Sequence, residues 1–483
     1  MPSAHPDARR WSALLVLCLG VLMIVLDSTI VNVALPSIRN DLGFSETALV
    51  WVVNAYMLTF GGFLLLGGRL GDLYGHRKVF VGGLVLFTLA SAACGMAGSQ
   101  TMLVAARAVQ GLGGAVVSAV SLSLVMNLFS SPADRAKAMG IYGFVCAGGG
   151  SIGVLLGGVL TSQFNWHWIF LVNLPIGVGV LALCLMLVPR GEAAAHGKLD
   201  IGGAVTVTTA LMLAVYAIVN GHELGWTSPQ TLGMLLAALV LLGAFVWIEA
   251  RVASPLMPLA LFARRNVAVS NVAGVLWAAA MFAWFFISAL YMQLVLGQSP
   301  MQIGLAFLPA NLIMAVFSLG LSARLVMRFG FRGPLAAGLL LASLGLMLFA
   351  RAPVEGTLMR DVLPGMVLLG LGAGIAFNPM LLAAMSDVGP EDSGVASGMV
   401  NTSFMMGGAL GLAVLASVAA GRTASLAADG ATQAAALTGG YQWAFALGAA
   451  FALIAAILGG ALLRQPPGTA LAPGADAAVH PPA

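Results

Sequence analysis

Apolar residues arrive along this chain in runs of about 20, the length an α-helix needs to cross roughly 30 Å of hydrocarbon. Fourteen such spans can be drawn: 11–33, 47–68, 79–98, 101–127, 136–160, 170–188, 201–219, 230–250, 267–290, 301–323, 334–350, 362–385, 397–419 and 440–463. The period-2 alternation of a membrane β-barrel is absent. The predicted fold class is an all-α polytopic membrane protein. The polar loops are short, so the chain reads as one compact membrane unit. Met1 to Arg10 is polar and no small-residue cleavage site follows the first apolar run, which therefore reads as a retained span. From Gln465 the sequence is rich in Pro, Ala and Gly, a composition expected to stay unfolded.

Composition narrows the class. Of 483 residues, 60% are hydrophobic and 8% are charged, too little charge for a soluble chain of this length. The net charge of +4 does not point to nucleic acid, because the basic residues are spread over short loops. With the N-terminus inside, sixteen of the 21 Lys and Arg fall on the cytoplasmic side, four fall outside, and Arg107 lies within a span. A missed span would scramble this bias from that point onward, so it supports the count and places both termini in the cytoplasm. Cys18, Cys94, Cys146 and Cys184 all lie in apolar runs without CxxC spacing, and read as small buried hydrophobes, with no metal site or disulfide frame.

The chain repeats itself. RLGDLYGHR (69–77) aligns with RLVMRFGFR (324–332), SPADRAKAMG (131–140) with GPEDSGVASG (389–398), and GGSIG (149–153) with GGALG (407–411). The common offset of 255 to 258 residues predicts a duplicated six-span half. The expected layout is a cytoplasmic N-terminus (1–10), a six-helix bundle (11–188), a linker carrying an inserted two-helix hairpin (189–266), a second six-helix bundle (267–463) and a cytoplasmic tail (464–483). Two repeats joined in a membrane are the architecture of alternating-access transporters, with substrate held between them near the midplane. Asp72 aligns with Met327 and Arg107 with Met366, so the motif charges survive mainly in the first half.

Two charges stand inside the apolar spans. Asp27 lies sixteen residues from Trp11, about 24 Å of helix. Arg107 lies about six residues into its span, roughly 10 Å deep. Intramembrane charges must pair or face water, and they mark ion pathways or substrate sites. A static ion pair, a helix-capping acid or an arginine bonded to backbone carbonyls is the structural alternative. No P-loop pattern occurs, so the chain has no ATP site of its own. Gly149–Gly153 matches G-x-S-x-G, but no strand precedes it and no triad partner is suggested.

Several stretches carry a family resemblance. GGRLGDLYGHRK (67–78) resembles motif A of the major facilitator superfamily through Gly68, Leu70, Asp72, Gly75, Arg77 and Lys78, with Arg69 in the same cluster. LVAARAVQGLGGA (103–115) resembles motif B, with Arg107, Gln110 and Gly111 in place. GGGSIGVLLGG (148–158) resembles the antiporter motif C through Gly149, Gly153, Gly157 and Gly158, with Val154 where the motif has proline. LDSTIVNVALP (26–36), WHWIFLVNLPIG (166–177) and YMQLVLGQSPMQIGLAFLP (291–309) are similar to signatures of the 14-span drug:proton antiporter branch.

The resemblance implies a major facilitator fold of two six-helix bundles plus the inserted hairpin, and multidrug or antibiotic efflux. It implies no catalytic residues, no metal and no cofactor, the proton gradient supplying the drive. It makes the cluster at 67–78 a cytoplasmic latch, which suits the physics of an acid at a helix end that pairs with basic groups in one conformation only. It places spans 1 and 4 side by side, so Asp27 and Arg107 are expected to meet and to couple export to protons. Burial disfavours the carboxylate while a neighbouring arginine favours it, and a swing between such surroundings would load and unload a proton. Asn32, Asn54, Tyr56, Gln110, Trp277, Trp284 and Phe285 are candidates for the substrate wall. The aromatic faces suit lipophilic cations, and lipid-facing or interfacial packing is the alternative for each. The expected partners are a small-molecule substrate, protons and the lipid bilayer of the cell membrane, without nucleic acid. A periplasmic adaptor or outer-membrane channel is left open. A dedicated exporter of one metabolite or self-made antibiotic fits the same motifs. An importer and a non-transporting membrane sensor fit them less well.

Overall fold

The computed structural model describes residues 6–129, 132–189, 200–252, 255–317, 321–386, 388 and 393–464. The tail from Gln465, the N-terminal five residues and the basic residues Arg190 and Lys198 lie outside them. So do the side chains of some helical positions, among them Asp72 and Cys146. Every described element is helical: α1 (Pro6–Leu42), α2 (Glu46–Tyr74), α3 (His76–Gly95), α4 (Gln100–Leu128), α5 (Pro132–Gln163), α6 (Trp168–Leu171), α7 (Asn173–Leu187), α8 (Ile201–Leu224), α9 (Pro229–Glu249), α10 (Leu259–Phe262), α11 (Arg265–Leu290), α12 (Pro300–Val316), α13 (Ser322–Phe329), α14 (Arg332–Phe349), α15 (Leu363–Met385), α16 (Ser393–Ala428) and α17 (Gln433–Leu462). A π-helical turn, Tyr291–Val295, prolongs α11, and another, Leu358–Val362, leads into α15. Among the described residues twelve helices are long and apolar enough to cross a membrane, and Ile152–Gln163 and Pro300–Val316 are shorter apolar helices. The spans expected at 136–160 and 301–323 fall on those two.

The local sequence sets the helix starts. Ser45, Ser99, Ser228 and Thr432 each accept a hydrogen bond from the backbone N–H three residues on. Ser299 and Gln302 form a reciprocal capping box ahead of α12. These side chains satisfy N–H groups that a helix leaves unpaired at its start.

Packing follows one scheme used twice. In α1–α7, α1 packs on α5 and α7, α2 on α4, and α3 on α4 and α7. In α11–α17, α11 packs on α16 and α17, α12 on α15, and α14 on α15 and α17. Bare backbone makes the tightest of these contacts. A Cβ on Gly83 would come within 3.2 Å of Gly113 O, and one on Gly338 within 2.7 Å of Gly372 O. Where lipid removes the hydrophobic drive between helices, such close approach is what holds them.

The two sets meet reciprocally, α5 against α12 and α2 against α16, with α1 touching α11. Asn54 Nδ2 donates to Ala409 O across the second contact at 2.9 Å. In the hairpin α8–α9, α8 packs on both α2 and α16, and Ser417 Oγ of α16 donates to Ile218 O at 3.1 Å.

Candidate functional site

Asp27 and Arg107 meet. Both are buried, and Arg107 Nη1 lies 2.6 Å from Asp27 Oδ2. Arg107 and Gln110 stand three residues apart on one face of α4. Arg107 Nη1 also donates to Gln110 Oε1 at 2.7 Å, and Gln110 Nε2 donates to Asp27 Oδ1 at 2.7 Å. From α7, Asn173 Nδ2 donates to Asp27 Oδ1 at 3.0 Å. From α3, Ser91 Oγ accepts from Gln110 Nε2 at 2.8 Å. Arg107 Nε donates to Val52 O of α2 at 2.9 Å, and the guanidinium carbon lies 4.3 Å from the centre of the Tyr56 ring and 5.6 Å from that of Phe170.

The glycines of motif B explain how helices come close enough to build this. A Cβ on Gly111 would collide with Tyr56 O and Thr59 Oγ1, and one on Gly113 would lie 2.7 Å from Phe87 N. Without side chains there, α2 and α3 close on α4 and bring Val52 O, Tyr56 and Ser91 to the charged pair. Asp27 accepts three N–H donors in a water-poor interior, the condition under which a buried pair is tolerated. The arrangement can also take a proton. With Asp27 neutral, Arg107 still holds Val52 O and Gln110, and Gln110 still holds Ser91.

Asn173, Ser91 and Phe170 were not singled out from the sequence. Asn173 had a signal, an amide in the apolar run of WHWIFLVNLPIG. Ser91, in LASAACG, had none.

Motif C lies directly behind the acid. Cβ atoms on Gly149 and Gly157 of α5 would lie 2.9 Å from Leu22 Cδ1 and 2.8 Å from Ile30 O of α1, and one on Gly153 3.0 Å from Leu26 O. Asp27 thus rides on the stretch of α1 that these glycines touch. Gly158 faces the other way, where a Cβ would lie 3.0 Å from Pro300 O of α12, and a Cβ on Gly304 of α12 would lie 3.0 Å from Val154 O. The position of the motif's proline therefore serves the contact with the second set.

In the cluster at 67–78, Gly75 breaks the chain between α2 and α3 with φ +92°, and Gly68 and Arg69 lie on the last turns of α2. Arg77 Nη2 donates to Leu185 O at the end of α7, 2.6 Å away, and Lys78 is exposed. Of the proposed wall residues, Asn32 Nδ2 donates to Ser28 O at 3.4 Å, and Trp277, Trp284 and Phe285 are packed in the core of the second set, Trp284 with its ring centre 4.4 Å from that of Phe285. A cavity of about 350 Å³ lies elsewhere, among Ser37, Asp41, Thr161, Phe164, Asn165, Trp166 and His167. No group of His, Cys, Asp and Glu that could hold a metal occurs among the described residues.

The family profile described as Major Facilitator Superfamily matches residues 17–412. The chain belongs to this superfamily. It is a multi-pass membrane protein of a transporter family. It is 38% identical over 451 residues to the puromycin resistance protein of Streptomyces alboniger, covering 93% of this chain and 89% of the relative. It is 40% identical to the cephamycin export protein of Amycolatopsis lactamdurans, covering 86% and 87%. A multidrug resistance protein of Mycobacterium tuberculosis is 38% identical, covering 83% and 74%. Among solved structures, the POT family transporter PepTSo superposes with TM-score 0.69 at 15% identity, over 95% of this chain and 97% of the other, and that likeness bears on fold alone.

Proposed function

We propose that this major facilitator protein is a proton-coupled antiporter that exports amphipathic organic compounds, drugs or antibiotics, by alternating access. On this reading fourteen spans form two six-helix bundles, 11–188 and 267–463, around an inserted hairpin, in the cell membrane with both termini in the cytoplasm. The observation that carries it is the buried Asp27–Arg107–Gln110–Asn173 network. An acid held by three donors in the membrane is costly, and such groups mark proton relays. Protonation of Asp27 releases Arg107 and Asn173. Because α1 carries Asp27 and rests on the glycine face of α5, which in turn meets α12, a change at the acid reaches the contact between the two helix sets. The cluster around Asp72 latches the cytoplasmic side, and Asn32, Asn54, Tyr56, Gln110, Trp277, Trp284 and Phe285 remain the proposed substrate wall.

The test is transport in proteoliposomes with an imposed pH gradient and a panel of cationic, zwitterionic and neutral drugs. Wild type should export uphill, and Asp27→Asn should lose gradient-driven export while retaining substrate binding or exchange. Uphill export by Asp27→Asn with normal proton coupling would show the acid to be structural. A second reading, a dedicated exporter of one compound, is favoured by the relative named for cephamycin export. It predicts that a single member of the panel is carried.

A further inference from the structure

The hairpin α8–α9 begins after Asp200 and ends at Glu249, so two acids share one end of it. Each uses one oxygen to hold backbone. Gly203 N donates to Asp200 Oδ1 at 2.7 Å, and Met257 N donates to Glu249 Oε2 at 2.9 Å. The other oxygens, Asp200 Oδ2 and Glu249 Oε1, are buried and have no hydrogen-bond partner. Both converge on the bare Cα of Gly203. A Cβ built there would lie 2.5 Å from the first and 2.7 Å from the second.

Among the described residues no cation is bonded to either acid. Leu66 of α2, Ala204 of α8 and Leu256 form an apolar cluster there, with Phe63 and Leu65 packed on it. Arg69 of α2 bonds neither acid, Arg251 lies over the Trp247 ring at 4.3 Å, and Arg265 donates to Leu462 O at 2.7 Å. The described part of α16 near its start, Ser393–Val400, carries no charged residue, and Glu249 is the only charged residue of α9. Two carboxylates buried side by side disfavour each other's charge, so the pair favours holding a proton. One proton between them satisfies both free oxygens, the protonated O–H donating and the other carboxylate accepting.

We propose that Asp200 and Glu249 are a proton-binding site of their own, a carboxyl pair sharing one proton across Gly203. The shared proton ties the start of α8, the end of α9 and the Leu256–Met257 segment into one knot. Because α8 packs on α2 and α16 where the two helix sets meet, the footing of the hairpin depends on that proton. The site does not depend on the role assigned to Asp27.

Infrared spectra of the purified protein in H2O and D2O at neutral pH test it directly. Wild type should show a protonated-carboxyl C=O band that is lost in Glu249→Gln and in Asp200→Asn. Whichever of the two folds suffices, and survival of the full band in a folded variant overturns the proposal. Thermal unfolding against pH gives a second readout. The shared-proton contact is intact at low pH and is lost as rising pH strips the proton, so wild-type stability falls with that step. In Glu249→Gln the amide donates to Asp200 at every pH and the step disappears. Gly203→Ala, whose methyl pushes the two oxygens aside, should move the step to lower pH. An unchanged pH profile in Glu249→Gln overturns the proposal as well.

Discussion

Gly153 of α5 rests on Leu26 of α1, and Gly411 of α16 rests on Ala279 of α11. The next residue is Asp27 in the first set and Ala280 in the second, both buried. On α4 the acid meets Arg107, and the aligned position of α15 is Met366, also buried. The same scheme of helix contacts is therefore built once around an ion pair and once around alanine and methionine. The second set shows that the scheme needs no charge. A buried ion pair is weak evidence for stability, and well-packed apolar replacements are often neutral or better. The network in the first set has to be explained by what it does.

Making the first set resemble the second gives the largest effect. Arg107→Met alone leaves Asp27 buried with two amide donors and no counter-charge from its partner, and should cost about 3–5 kcal/mol of stability. Adding Asp27→Ala should restore most of that loss in thermal unfolding, while gradient-driven export stays absent. If the double variant is no more stable than Arg107→Met, the network is part of the scaffold and the comparison fails.

The glycine contacts come next. Leucine at Gly157 meets Ile30 O, and leucine at Gly411 meets Ala279. Each should cost about 1–3 kcal/mol through overpacking. Their effects on transport should differ. Gly157→Leu displaces the helix that carries Asp27 and should uncouple proton flux from export or block both. Gly411→Leu should lower the amount of folded protein without changing protons moved per substrate. Equal uncoupling by both would mean that the face on α5 has no special tie to the acid.

The meeting of Asp27 with Arg107 was legible because a charge in an apolar helix needs a partner and because the family resemblance sets spans 1 and 4 side by side. The repeat was legible too, since Gly83 and Gly338, 255 residues apart, make matching contacts. Ser91 was not, because a serine on a helix can bond its own backbone, as Ser91 Oγ also does to Phe87 O at 2.8 Å. Nor was the convergence of Asp200 and Glu249. There Met257 N also donates to Glu249 Oε2, and no periodicity encodes either approach. The sequence named Trp277 and Trp284 by residue type and gave no direction for their rings, and both rings are buried in the second set.

A smaller effect is expected at the motif with an acid in one set only. Asp72 aligns with Met327. Asp72→Asn should insert and fold normally yet slow export by up to about tenfold, roughly 1.4 kcal/mol on the barrier. Initial rates in proteoliposomes at matched protein would measure it. Wild-type rates in the variant would remove the latch from the differences between the sets.

The smallest effects should be equal in the two sets. Gly75 and Gly330 both turn the chain with positive φ, +92° and +71°, where a side chain would be strained. Two residues on, Arg77 donates to Leu185 O near the end of α7, and Arg332 donates to Gly460 O near the end of α17. Each arginine thus puts a cation and a donor on the unpaired carbonyls that close its set, where the helix dipole favours positive charge. Both bonds are exposed, so Arg77→Ala and Arg332→Ala should each cost only about 0.3–1 kcal/mol. Neither should alter proton coupling, because the contact exists with and without the charge network. A loss confined to Arg77→Ala, or a change in coupling there, would mean that this arginine belongs to the latch with Asp72 and not to the shared scaffold.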